Sequence, residues 1–98
     1  MRRARTKRWD AAAHLEGEAD QAAYLEAALE DGNPGVITAA LGDIARAKGM
    51  TEVARKAGLG RESLYKALSQ QGNPEFATVL RVVGALGLKL HAGPAGNG

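Results

Sequence analysis

The 98-residue chain contains no cysteine, which closes off both a disulfide framework and a thiolate metal site. Only Trp9, Tyr24, Tyr65 and Phe76 are aromatic. β-Branched residues are few as well, so the two residue classes that favour strands are both scarce. No apolar run approaches the length of a membrane span. The basic start MRRARTKR lacks a following apolar segment, since Trp9 leads directly into Asp10, His14, Glu16 and Glu18. A secretory signal is therefore not expected. His14 and His91 lie far apart with nothing nearby at metal-ligand spacing, and both are expected as polar surface residues. Phosphate-loop glycines, a nucleophile elbow and an HExxH helix are all missing. The acids between Asp10 and Asp31 are spaced like solvated helix faces rather than a catalytic pair. These absences predict a soluble, cytoplasmic protein that is not an enzyme, with no metal, no cofactor and no membrane partner.

What the chain does have is alanine, leucine and glycine, in a length that supports one small core. An all-α domain follows from that composition. The net charge of +2 conceals a segregation. Residues 1–8 carry Arg2, Arg3, Arg5, Lys7 and Arg8 and no acid. Residues 9–49 carry eight acids (Asp10, Glu16, Glu18, Asp20, Glu26, Glu30, Asp31 and Asp43) against Arg46 and Lys48. Residues 50–98 carry Arg55, Lys56, Arg61, Lys66, Arg81 and Lys89 against Glu52, Glu62 and Glu75. A basic half suits a phosphate surface and an acidic half suits a basic partner. Two ordinary solvated faces are the plainer alternative.

Three stretches follow along the chain: a flexible basic arm at 1–9, a helical domain at 10–90 and a flexible tail at 91–98. The arm is either a DNA-contacting element or an end with no role. Asp10 can cap a short turn through Leu15. Asp20 is placed to cap a helix to about Leu29, with Ala22, Leu25 and Leu29 on one face and Asp31-Gly32 as its stop. The tripeptide Gly-Asn-Pro occurs at residues 32–34 and again at 72–74. In each copy glycine closes one helix, asparagine caps the next, and proline takes the first helical position, where its missing N–H costs nothing. The helix after Pro34 runs to Lys48 on an Ile37, Leu41, Ile44 stripe and stops at Gly49. The helix after Pro74 places Phe76, Val79, Leu80 and Val83 on one face and stops at Gly87. Leu88 to His91 alternates and suggests a short strand at an edge or dimer contact.

The most informative segment is Met50 to Ser69, MTEVARKAGLGRESLYKALS. It reads as two short helices joined by a glycine turn, the helix-turn-helix pattern. Val53, Ala57 and Leu59 anchor the first helix, with Thr51 as its N-cap. Leu64, Ala67 and Leu68 line the inner face of the second. Ala54 is small where the helices cross, and Gly58 takes the turn, where a positive φ favours glycine. With that inner face fixed, Arg61, Glu62, Tyr65, Lys66 and Ser69 point outward, and Ser63 lies on the flank.

In such motifs the second helix enters the major groove of DNA. Arg61 can then bind guanine in bidentate fashion, and Glu62 can accept from cytosine. Tyr65 can touch a thymine methyl or a phosphate. Lys66 can bind phosphate or guanine, and Ser63 phosphate. The competing reading makes Glu62–Lys66 and Glu52–Lys56 stabilising i,i+4 pairs on solvated helices, with Tyr65 packed on a neighbour.

From Trp9 to Leu90 the chain resembles the HigA-like addiction-module antidote proteins, a branch of the phage-repressor-type (XRE/Cro-like) helix-turn-helix group. The stretches that carry the likeness are YLEAALEDGNPGVITAALGDIARAKGMTEVARKAGLGRESLYKALS and GNPEFATVLRVVGALGLKL. The resemblance implies a lambda-repressor-like bundle of four to five helices. It also implies an antitoxin that neutralises a RelE/ParE-like toxin, dimerises and represses its own operon by binding double-stranded operator DNA. The family's recognition helix falls on Arg61, Glu62, Ser63, Tyr65 and Lys66. Its N-terminal helices correspond to the acidic segment, a surface suited to a basic toxin, with no residue assigned. The chain departs from the pattern at Gly60, where serine is usual, and at Trp9, where phenylalanine is common. Its basic arm is also longer than the family needs. Two other functions remain open at this point: a stand-alone phage-type repressor without a toxin, and a protein-interaction module that binds no DNA.

Overall fold

Asn33 and Pro34 start a helix by a purely local mechanism. The Asn33 Oδ1 accepts the N–H groups of Gly35 at 2.8 Å and Val36 at 3.3 Å, two donors that the first turn leaves unpaired. Pro34 stands first in that helix. The computed structural model describes residues 15–96. They form five α-helices: α1 Glu18–Asp31, α2 Pro34–Lys48, α3 Met50–Ala57, α4 Arg61–Ala67 and α5 Phe76–Ala85. The expected arm at 1–9, the Asp10 turn, Trp9 and His14 lie outside the described residues.

α1 begins three residues earlier than an Asp20 cap predicts. Gly17 occupies the N-cap without a side-chain bond, and Asp20 sits inside the first turn with Glu18. An acid there still opposes the positive end of the helix dipole. The inner face is also different from the apolar reading. Gln21, Leu25 and Ala28 are buried, whereas Ala22 and Leu29 are exposed. The buried Gln21 donates its Nε2 to the Leu15 carbonyl at 2.9 Å, tying down the chain that enters the helix, while its Oε1 is enclosed without a partner among the described residues.

Gly49 ends α2 and begins α3 within one residue, at φ +112°. Thr51 is consequently inside the first turn of α3 and is not its cap. Gly58 follows α3 at φ +73°. Its N–H donates to the Arg55 carbonyl at 3.2 Å and that of Leu59 to the Ala54 carbonyl at 2.9 Å. This paired closure satisfies two orphan carbonyls and turns the chain toward α4.

The second Gly-Asn-Pro behaves differently from the first. Gly72 lies so close to the end of α4 that a Cβ there would stand 2.3 Å from the Ala67 carbonyl oxygen. The chain leaves that turn through 73–75 without helical structure, and α5 opens at Phe76 with Glu75 at the N-cap. Asn73 therefore caps nothing. The buried face of α5 is Val82 and Val83, continued by Leu86, while Phe76 and Leu80 are exposed at 68% and 46%. Both stripes have helical spacing. The later one wins because α5 buries its C-terminal half, and its first turn stays in solvent.

The core gathers Leu41, Ile44, Val53, Leu64, Val82 and Leu86, each almost wholly enclosed. α3 is its centre and packs on α2, α4 and α5, while α1 covers α2. No strand occurs among the described residues. Leu88 to His91 does not pair as a strand because Leu88 and Leu90 are half-buried against the core, and the Leu88 N–H bonds back to Val83. No helix among the described residues is long and apolar enough to cross a membrane.

Candidate nucleic-acid interface

α4 has one buried residue, Leu64, and everything its outer surface presents follows from that anchor. Arg61, Glu62, Ser63, Tyr65 and Lys66 are all exposed. The Arg61 guanidinium lies over the Tyr65 ring, 5.3 Å from the centroid, and one Nη donates to the Tyr65 hydroxyl at 3.4 Å. Arginine and tyrosine thus form one amphipathic unit one turn apart on α4. Ser69 is placed differently. It lies two residues past α4, half-buried, with its hydroxyl donating to the Lys66 carbonyl at 3.0 Å.

The far end of α4 is fastened to α2. The Thr38 hydroxyl donates to the Ser69 carbonyl at 3.1 Å, and Gly42 brings the α2 backbone against the Leu68 carbonyl. A Cβ at Gly42 would stand 3.0 Å from that oxygen, so the absence of a side chain sets how closely the two segments approach. α4 is in this way fixed at the turn before it, at Leu64 and at the segment that follows.

The i,i+4 alternatives divide. Glu52 is paired with Arg55 and, at 3.8 Å, with Lys56. The hydrogen bond and charge of Arg55 hold the Glu52 carboxyl below its ordinary range. No ion pair joins Glu62 to Lys66 among the described residues. Glu62 and Lys66 are both presented to solvent.

An open groove of about 510 Å³ runs beside this surface, lined by Arg46, Met50, Thr51, Glu52, Arg61 and Tyr65. Sequence reasoning counted Arg46 only as a charge in the acidic half. Its guanidinium donates to Asp43 Oδ1 at 2.9 Å. Asp43 Oδ2 in turn accepts from the Tyr24 hydroxyl at 2.6 Å, linking α1 to α2. No spacing rule in the sequence could have joined residues 19 apart on two helices.

Burial, and then the bond to Asp43, raise the Tyr24 phenol from its ordinary 10.0 to about 12. The folded state thus favours the protonated phenol. Its stabilisation is fully present below pH 10 and is lost as pH rises toward 12. We expect the melting temperature of the wild type to fall more steeply across that interval than that of Tyr24→Phe. Parallel curves for the two proteins would contradict the assignment.

No group of three histidines, aspartates or glutamates among the described residues is placed to hold a metal ion. A family model described as a probable addiction module antidote protein matches residues 5–94. The chain belongs to this antidote family. An uncharacterized protein of Haemophilus influenzae (strain Rd) is 52% identical over 83 residues, covering 85% of this chain and 86% of its own length. No solved structure matches the chain significantly. Antidote proteins of addiction modules are in general non-enzymatic, and membership in the family implies, in general terms, a toxin as partner.

Proposed function

We propose that this antidote is the antitoxin of a type II toxin–antitoxin module. It binds and neutralises a RelE/ParE-like toxin, and as a HigA-like, XRE/Cro-type dimer it binds its own operator and represses it. The observation that carries the DNA half is the outer face of α4, where Arg61, Glu62, Ser63, Tyr65 and Lys66 are all exposed on a helix anchored by Leu64. α3, the Gly58 turn and α4 act as the helix-turn-helix. In a dimer the two α4 helices enter successive major grooves about 34 Å apart. Arg61 and Lys66 read guanine or hold phosphate, Glu62 meets cytosine, Tyr65 a thymine methyl or phosphate, and Ser63 the backbone, with Ser69 at the end of this face.

Toxin recognition is assigned to α1. Glu26, Glu30 and Asp31 are exposed there, and Leu29 is 43% exposed among them. An acidic surface with an apolar centre complements a basic toxin, and it is carried by a different helix from the DNA surface.

The test is co-expression with the product of the adjacent small reading frame. Growth restored on induction of that product, with the two chains purifying together, is the expected result. Arrest that persists in the presence of soluble antidote would refute the neutralising role. If no such frame exists, the stand-alone repressor takes its place.

A further inference from the structure

We propose that Arg46 is a phosphate-binding residue of the DNA interface, positioned by Asp43 and, through Asp43, by Tyr24. This rests on the reading of α4 as the DNA-facing helix. Arg46 belongs to the last turn of α2, outside the helix-turn-helix segment, yet it shares the groove wall with Arg61 and Tyr65. Its side chain is 46% exposed, whereas that of Asp43 is only 20% exposed.

An isolated i,i+3 pair on a helix surface is weak and leaves its arginine free to sweep. This one is different because the carboxylate is held from both sides. Tyr24 reaches across from α1 to Asp43 Oδ2, and the guanidinium takes Oδ1. That pairing anchors the planar arginine fork at the wall of the groove it lines. Such a fork suits a tetrahedral phosphate better than a flexible ammonium does.

Glu52, the acid among the groove's lining residues, is matched by Arg55 and Lys56, so it adds little net negative charge there. The ligand is a backbone phosphodiester and not a base edge, because Arg46 is carried by α2 and flanks the helix that reads the bases. Phosphate contacts of this sort fix register on the duplex and carry no sequence choice.

The experiment is fluorescence anisotropy of the full chain with the upstream duplex and a scrambled duplex across a salt series. Arg46→Ala should weaken binding about tenfold on both duplexes and reduce the salt slope by about 0.9 per bound protomer. Arg46→Lys should restore the slope without restoring the affinity. Tyr24→Phe, which changes no charge near neutral pH, should weaken both duplexes about two- to threefold and keep the wild-type slope.

A merely structural Arg46 would change melting temperature and leave the slope alone. An unchanged slope in Arg46→Ala therefore overturns the proposal. Wild-type affinity in Tyr24→Phe overturns the positioning role. The parallel variant Arg61→Ala separates the two levels of inference. If it loses affinity for the upstream duplex while Arg46→Ala does not, this inference alone fails. If both variants bind as the wild type does, the reading of α4 has failed as well.

Discussion

Replacing Arg61 and Lys66 together by alanine is expected to abolish operator binding while leaving toxin neutralisation intact. Each bidentate contact to a base is worth about 1–3 kcal/mol, and tenfold in affinity is about 1.4 kcal/mol. Losing both contacts in each half of a dimer weakens binding by about 4–12 kcal/mol, on the order of a thousandfold or more. The fold should scarcely notice. Both residues are exposed, and neither takes part in the described ion pairs. The intramolecular losses are confined to Tyr65: the long Arg61 hydrogen bond to its hydroxyl and the contact with its ring, the latter about 0.5–1 kcal/mol at an exposed site. The measurement is operator binding by anisotropy beside growth rescue in the co-expression strain, with a thermal melt as control. If neutralisation falls with DNA binding in a folded variant, the two surfaces are not separate.

Leu64→Ala has the largest expected effect on stability. Leu64 is wholly enclosed and is the one buried residue within α4. Truncating a leucine at such a site costs about 2–5 kcal/mol, combining lost transfer energy and the cavity left behind. For a domain of this size each kcal/mol moves the melting temperature by roughly 4–8 °C. A fall on the order of 10 °C or more is expected in a circular-dichroism melt. The helix that loses its anchor is the one proposed to meet DNA, so on that reading operator affinity should decline even below the melting transition. A shift of less than about 3 °C would mean that α4 is held mainly by its flanking turns and the Thr38–Ser69 bond.

The parts of this fold that are legible in the sequence are those governed by chemistry within four residues. Asn33 and Pro34 start α2 because an asparagine oxygen and a missing N–H act locally. Gly49 and Gly58 mark their turns because both adopt positive φ. The burial of Val53, Ala57, Leu64 and Leu68 follows from helical spacing in one short segment. Where tertiary packing decides, the local signal misleads. Asp20 and Thr51 have the right chemistry for caps, but Gly17 and Gly49 already occupy those positions. Asn73 repeats the residue types around Asn33, but the chain passes Gly72 in a turn against α4 and enters α5 later. Phe76 and Leu80 fit a helical stripe that no neighbour covers.

The candidate site divides along the same line. The exposed row from Arg61 to Lys66 is readable because it is the complement of Leu64 on one helix. The Tyr24–Asp43–Arg46 chain is not, because it depends on how α1 lies across α2. Neither tyrosine nor aspartate at those positions signals a partner in sequence. Burial of Gln21 is equally silent, since glutamine is usually a surface residue and its bond to Leu15 depends on how the chain enters α1.

The central claim is that this antidote reads a specific operator through α4. Its most direct test is the affinity of the unmodified chain for a duplex from its own upstream region against a scrambled duplex of the same length, at two salt concentrations. A preference for the upstream duplex that persists at the higher salt is the predicted result, because base contacts survive screening better than phosphate contacts. Equal affinity for the two duplexes, collapsing together as salt rises, would contradict the claim and leave only general attraction between basic residues and DNA.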